Sequence, residues 1–317
     1  MRRWDPLVEK YAALLHTRGL AKATITSRER ELVRFGSWLK ARRPKPGLEE
    51  LDANLIVRYV RGRSAFHSRS TVGSVVSSLR CMGEYLVQEG VWKSNPLRWM
   101  RGPKMDPRRH LPRRIGREQQ QALWAAAETR PQEHARYQSL CILAILYGTG
   151  LRRGELERLD LKDWDREASV LKIDGQKTGT MRHIPVGEGV WRCIEAYLPR
   201  RHNRLEATGH VDEPALLINT LGKRMVGTSI GLLVARLSQS AGVPRVTLHQ
   251  FRHSCASDLL EAGVKLPQVQ KILGHAGVGS TVRYTAVADP ERAVAMSKHP
   301  VNRFLEAHAT GEIHEQA

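Results

Sequence analysis

The stretch YGTGLRRGELERL, residues 147–159, packs three glycines, three arginines and two glutamates into thirteen positions. It grows directly out of LCILAILY (140–147), an apolar run far shorter than the roughly 20 residues that span a bilayer. That run reads as a buried helix. Gly148 and Gly150 end it in a tight turn, and charged residues follow at once. Arg152 and Glu155, three apart, share one face of the next helix. Taken alone they suit a surface ion pair as well as a site. The glycines suggest a phosphate loop, but no G-K-[ST] follows them. The rest of the chain has to decide what a core helix that ends in charges is for.

At 317 residues the chain is too long for one ordinary core and suits two domains. Its formal charge is +19 and its pI about 10.3. The charge is uneven. Lys and Arg outnumber Asp and Glu by 19 to 9 in residues 1–100 and by 6 to 1 in 101–115, but only by 26 to 22 in the remainder. Basic excess so concentrated points to a polyanion, because Lys and Arg displace the counterions condensed on phosphates. No amphipathic basic helix argues for a membrane surface. Cys81, Cys141, Cys193 and Cys255 are far apart and form no C-x-x-C, so a reducing compartment is expected, with neither disulfide frame nor zinc site. MRRWDPLVEK at the start has no signal-peptide core.

Outward towards the N-terminus, residues 1–100 read as a small helical bundle with basic outer faces. DPLVEKYAALLHTRG opens with Asp and Pro and closes at Gly19. TITSRERELVRFGSWLKARR sets Ile25, Leu32, Phe35 and Leu39 on one side. LDANLIVRYVRG and SRSTVGSVVSSLRCMGEYLVQEG give two more helices, the last ending at Gly90. RGPKMDPRRHLPRRIG (101–116), with three prolines and no apolar period, reads as a linker. Its Arg108, Arg109, Arg113 and Arg114 are expected to touch DNA as the two domains clamp a rod-like polyanion. A second domain, 117–317, is mainly helical. One exception is ASVLKIDGQKTGTMRHIPV (168–186), which alternates about a Gly-rich turn and reads as a β-hairpin, with ALLIN (215–219) as a candidate extra strand.

Three further fragments carry chemistry. Lys177 sits in the hairpin turn, where a lysine is ordinarily just solvated. His249 and Arg252 of TLHQFRHSCASDLL share a helix face, and His253 lies four after His249. A zinc-protease reading fails because Gln250 stands where that motif needs Glu. ILGHAGVGSTVRYTAV (272–287) adds His275 and Tyr284. No paired carboxylates suited to Mg²⁺ accompany them. Together the set suits metal-free attack on a phosphodiester. Arginine forks clamp the non-bridging oxygens, histidines donate hydrogen bonds, lysine protonates the leaving oxygen, and tyrosine is the nucleophile.

In this order the fragments resemble the tyrosine recombinases of the phage-integrase superfamily. TGLRRGEL is similar to the family's first arginine box, with Arg152 at the catalytic arginine and Glu155 at its acidic support. Lys177 matches the hairpin lysine, five before Arg182 of RHIP. HQFRH is similar to the H-x-L-R-H box, with Phe251 in place of leucine, and gives His249 and Arg252. LGHAGVGSTVRYT is similar to the last box, with His275 at its His/Trp position and Tyr284 as nucleophile.

The resemblance implies a fold that is mainly α with a small β-sheet: a SAM-like core-binding bundle and a mixed α/β catalytic domain. It implies site-specific strand exchange on duplex DNA through a 3′-phosphotyrosine and a Holliday junction, with a 5′-hydroxyl as leaving group. No cofactor, metal or ATP is needed. Partners would be a specific DNA site and a homo-tetramer on two sites, with room for a paired recombinase or accessory protein, in the bacterial cytoplasm on the nucleoid. The bundle starts almost at residue 1 and nothing is inserted between Lys177 and His249, so the layout is Xer-like. The segment 302–310 would dock on a neighbouring protomer. Integration, excision and dimer resolution are all compatible with the sequence. So are three rivals, each with a weakness. A type IB topoisomerase-like enzyme does not suit the two-domain layout. A non-catalytic DNA binder has no use for Tyr284 with Lys177. A phosphatase leaves the N-terminal charge unexplained.

Overall fold

Apolar residues recurring every three or four positions build the first unit. In α1 (Trp4–Thr17) these are Trp4, Leu7, Val8, Tyr11 and Leu15, all buried. α2 (Lys22–Lys40) buries the expected Ile25, Leu32, Phe35 and Leu39. Gly36 lets Trp4 lie flat on α2: a Cβ there would fall 2.3 Å from Trp4 Cδ1. The indole nitrogen then donates to the Leu32 carbonyl at 2.8 Å. α3 (Ala53–Ser64) and α4 (Arg69–Gln88) are N-capped by Asp52 and Ser68, whose side chains accept from Leu55 and Thr71. After Gly90 the chain returns along α4. Asn95 Nδ2 donates to the Arg80 carbonyl at 3.0 Å and to Glu84 at 2.9 Å. Gly102 meets Gly73 so closely that a Cβ on it would lie 3.0 Å from the Gly73 Cα.

The computed structural model describes residues 4–44, 46–104, 114–174, 181–274, 294 and 296–309. The chain divides into two compact units, Met1–Leu111 and Pro112–Ala317. In the second, α5 (Arg117–Glu128) and α6 (Glu133–Thr149) come first. Cys141 to Tyr147 are buried without a break, which is why LCILAILY shows no helical period: over this stretch no face of the helix meets water. A short α7 (Arg153–Arg158) leads to a three-stranded antiparallel sheet of β1 (Trp164–Asp165), β2 (Val170–Ile173) and β3 (Arg182–Pro185), with Leu171 opposite Ile184. The expected hairpin is β2–β3.

The expected strand at 215–219 does not form. Its residues make only isolated bridges, Asp160 to Ala215 and Ile218 to Arg224. Side chains take the carbonyls a strand would use. Arg201 bonds the Ala215 carbonyl at 2.9 and 2.7 Å, and Gln138 bonds that of Ile218. The third strand is β1 instead. α8 (Glu188–Thr208), α9 (Gly227–Ser240), α10 (Leu248–Glu261) and α11 (Leu266–Leu273) follow.

The last helix, α12 (Pro300–Ala309), packs on α8 and α6 of its own chain rather than extending away from them. Gly187 and Gly189 make room for it: Cβ atoms there would collide with Asn302 and Leu305. Val301 and Leu305 are buried, and the Phe304 and Trp124 rings meet edge to face at 5.6 Å. None of the described helices is long and apolar enough to cross a membrane.

Candidate functional site

The buried helix α6 ends at Gly150, in the left-handed conformation at φ +61°. No side chain fits there, since a Cβ would sit 2.6 Å from Leu273 Cδ2 and 3.2 Å from Cys255 Sγ. The turn delivers Arg152 to the N-cap of α7. Glu155, one turn on, accepts from the Arg152 backbone N–H at 2.8 Å and from its Nη1 at 2.9 Å. The pairing read from the sequence is therefore real, but it is not a surface pair: the Glu155 side chain is only 6% exposed.

A residue used only as a landmark in the sequence completes it. Arg182, the first residue of β3, grips Glu155 with both nitrogens of its fork, each at 2.9 Å. Its Nε donates to the Ile272 carbonyl at 3.2 Å. Arg152 Nη2 takes the Gly274 carbonyl at 2.6 Å. Arg252, on α10, takes the Leu273 carbonyl at 2.6 Å and the Gly150 carbonyl at 2.8 Å. Three arginines thus hold three consecutive carbonyls, 272 to 274, at the C-terminal end of α11. Helix ends leave such carbonyls unpaired and slightly negative, so cations are favoured there. Gly274 is left-handed at φ +66°, and a Cβ on it would lie 2.8 Å from Arg182 Nη1.

The electrostatics follow. Burial raises the Glu155 pKa, but the bonds from Arg182 and Arg152 outweigh it and bring the carboxyl down to about 2. Arg252 is pulled down to about 10 by burial and by the neighbouring Arg152, so it stays protonated at neutral pH. Arg152 and Arg182 bond the one carboxylate, and Arg252 lies near enough to feel its charge. Among the described residues the three guanidinium groups have one carboxylate between them, which is the electrostatics of an anion site. Arg152 is the outward member, with 34% of its side chain exposed. A guanidinium has five N–H donors, so Arg152 keeps donors for a ligand.

His249 is exposed on α10, three residues before Arg252. Gln250, where a zinc protease would carry Glu, closes a capping box with Thr247, its side chain accepting from the Thr247 N–H at 2.8 Å. His253 lies 3.4 Å from Ser257 Oγ. Among the described residues no cluster of His, Cys, Asp and Glu could hold a metal ion. Arg152, Glu155 and Arg252 are therefore brought together, joined by Arg182. Arg114, expected at DNA, is in ion pairs with Asp258 and Glu261. Lys177, His275, Tyr284, Arg108, Arg109 and Arg113 lie outside the described residues. The alternating RHIP segment was the one signal for Arg182: an arginine beginning a half-buried strand needs a buried partner.

Comparison with known proteins agrees with this geometry. The phage integrase family matches residues 113–291. The chain is 30% identical over 311 residues to the tyrosine recombinase XerC of Pelobacter propionicus, covering 95% of this chain and 99% of that protein. It is 28% identical over 304 residues to XerC of Roseiflexus sp. (strain RS-1), covering 96% and 95%. A lambda integrase tetramer bound to a Holliday junction shares the fold, with a TM-score of 0.65 at 19% identity, over 87% of this chain and 74% of that one. With its arginine-locked centre inside the matched region, this chain belongs to the phage integrase family, the tyrosine recombinases.

Proposed function

We propose that the protein is a site-specific recombinase in which Tyr284 attacks a DNA phosphate held by Arg152 and Arg252. The hydroxyl of Tyr284 gives up its proton to solvent as its oxygen bonds to phosphorus, the bond to the 5′ oxygen breaks, and the Lys177 ammonium supplies that oxygen with a proton. His249 and His275 donate to the non-bridging oxygens. The phosphotyrosine keeps the bond energy, so a 5′-hydroxyl from a partner duplex reverses the step and neither ATP nor metal takes part. The observation that carries this reading is the arginine lock on carbonyls 272–274. It supports the reading because it gathers three guanidinium groups at carbonyls that come just before His275 in the sequence.

The first unit, basic and helical, is read as the core-binding domain, joined through 101–116 and aided by Arg108, Arg109 and Arg113. Full-length similarity to XerC proteins supports a two-domain recombinase, and a homo-tetramer on two DNA sites in the cytoplasm belongs to the same proposal. A mobile element and a chromosome are both open as its substrate.

Covalent capture tests this. The protein is mixed with nicked duplexes that include the DNA flanking its own gene, denatured, and examined for protein-linked DNA. Wild type is expected to trap a DNA 3′ end, with Tyr284→Phe binding normally and trapping none. An adduct that survives in Tyr284→Phe overturns the assignment of the nucleophile. EDTA is expected to change nothing, and affinity should fall steeply with salt, as it does when arginines displace counterions.

A further inference from the structure

The last residues of the basic connector are fastened to the second unit more firmly than a passing chain requires. Ile115 is 1% exposed. Its N–H donates to Ser254 Oγ at 2.9 Å and its carbonyl accepts from Gln120 Nε2 at 3.0 Å. Arg114 pairs with Glu261 and with Asp258, a carboxylate of 0% exposure. Asp258 also accepts from the hydroxyl of Tyr147, on α6. Burial pushes the Asp258 pKa up, and Tyr147 and Arg114 work against it. Take Arg114 away and a buried charge loses its only cation among the described residues.

The placement matters more than the strength. Ser254, Asp258 and Glu261 follow at steps of four and three, so they form one face of α10. By the same 3.6-residue period, His249 and Arg252 fall on the opposite face. α6 and α10 are bolted together twice, by Tyr147 to Asp258 and by Arg252 to the Gly150 carbonyl. The connector therefore ends on the back of the helix whose front holds Arg252.

We propose that Arg114 and Asp258 are positioning residues: their ion pair docks the connector on the back of α10 and sets the placement of Arg252 and His249. Arg114 on this view is not a DNA contact. The proposal rests on the reading that Arg252 acts on a DNA phosphate.

The test splits binding from chemistry, using full-length protein and a nicked duplex that wild type traps. Arg114→Met is expected to keep wild-type DNA affinity and salt slope. At saturating DNA its rate of adduct formation should fall about tenfold to a hundredfold, as happens when reacting groups are displaced by up to an ångström. Asp258→Asn should show the same defect, and the double variant should be no slower than the slower single one, because both break one node. Arg114→Lys should recover most of the rate. A phosphate contact behaves differently: affinity drops, the salt slope shrinks by about one, and Asp258→Asn does not share the effect. That pattern, or an unchanged rate in Arg114→Met, overturns the proposal. Should Asp258→Asn fail to fold, Ser254→Ala removes the Ile115 anchor without stranding a charge; a slower rate at equal affinity is expected, and a normal rate counts against the node. Absence of any wild-type adduct on any substrate is a failure of the recombinase reading instead.

Discussion

Each unit of this protein buries a glutamate among arginines, and the two sites differ in what else the arginines hold and in how many there are. In the first, Glu31 on α2 accepts from Tyr59 at 2.6 Å, Arg63 at 3.2 Å and Arg34 at 3.5 Å. Arg34 is 61% exposed and reaches the carboxylate from the surface. In the second, Glu155 is held by Arg152 and Arg182, and each of these also grips a backbone carbonyl at the end of α11. A buried carboxylate with a cation is common to both and says little about function. What marks the second is guanidinium groups fixed at two ends, drawn from residues 152, 182 and 252, with positive charge in excess. A fold bears that repulsion where an anion relieves it.

Breaking the second site should therefore end chemistry, and breaking the first should not. Arg252→Ala removes the fork that ties α10 to Gly150 and Leu273 and that would face the phosphate. Adduct formation in single turnover is expected to fall at least about a hundredfold, the cost of losing one preorganised donor to a developing charge. Arg63→Ala should leave the rate per folded molecule unchanged and lower only the melting temperature. Equal losses in the two variants would erase the distinction.

Acid sharpens the same contrast. Glu155 has a folded-state pKa of about 2, below the roughly 4.3 of a free glutamate. A depressed pKa stabilises above the unfolded value and is lost as pH falls through the folded one. About 3 kcal/mol is at stake, full at neutral pH and draining between about pH 5 and pH 2. Glu155→Gln should be less stable at pH 7 and lose less between pH 5 and pH 3 than wild type, by chemical denaturation. Parallel stability curves would mean that the carboxylate is not held as its bonds indicate.

Much of this was legible in the sequence, for reasons that lie in particular residues. Ile25, Leu32, Phe35 and Leu39 announce α2 because burial on one face imposes a period. Arg152, Glu155 and Arg252 stand out because their order along the chain resembles a family, and the fold brings them to one place. Arg182 was passed over. Its partners are Glu155, 27 residues away, and a carbonyl 90 residues away, and no local pattern encodes a bond to a distant carbonyl. Arg114 sits among basic neighbours in the sequence, and nothing local announces its partner Asp258, far along the chain on α10. The strand at 215–219 failed for the same reason. Its apolar run is genuinely buried, but Arg201 and Gln138 take its carbonyls from elsewhere. Period reads burial; it does not read which side chain arrives from a distance.

The smallest expected effects come from two glycines, one near each glutamate. Gly62 lies in α3 beside Arg63, with nothing within 4 Å of a built Cβ. Alanine there replaces a flexible residue with a good helix former and should stabilise by about 0.5–1 kcal/mol. Gly274 has φ +66°, where an L side chain costs about 1–2 kcal/mol. Its new Cβ would also press on the Arg182 guanidinium, which three hydrogen bonds hold in place. Arg182 must then move, and with it Glu155 and the footing of Arg152. Gly274→Ala should thus lower both the melting temperature and the rate of adduct formation, whereas Gly62→Ala should raise the first and leave the second alone. A Gly274→Ala protein that melts lower yet reacts at the wild-type rate would separate the lock on α11 from the chemistry, and would place the catalytic demand on Arg152 and Arg252 alone.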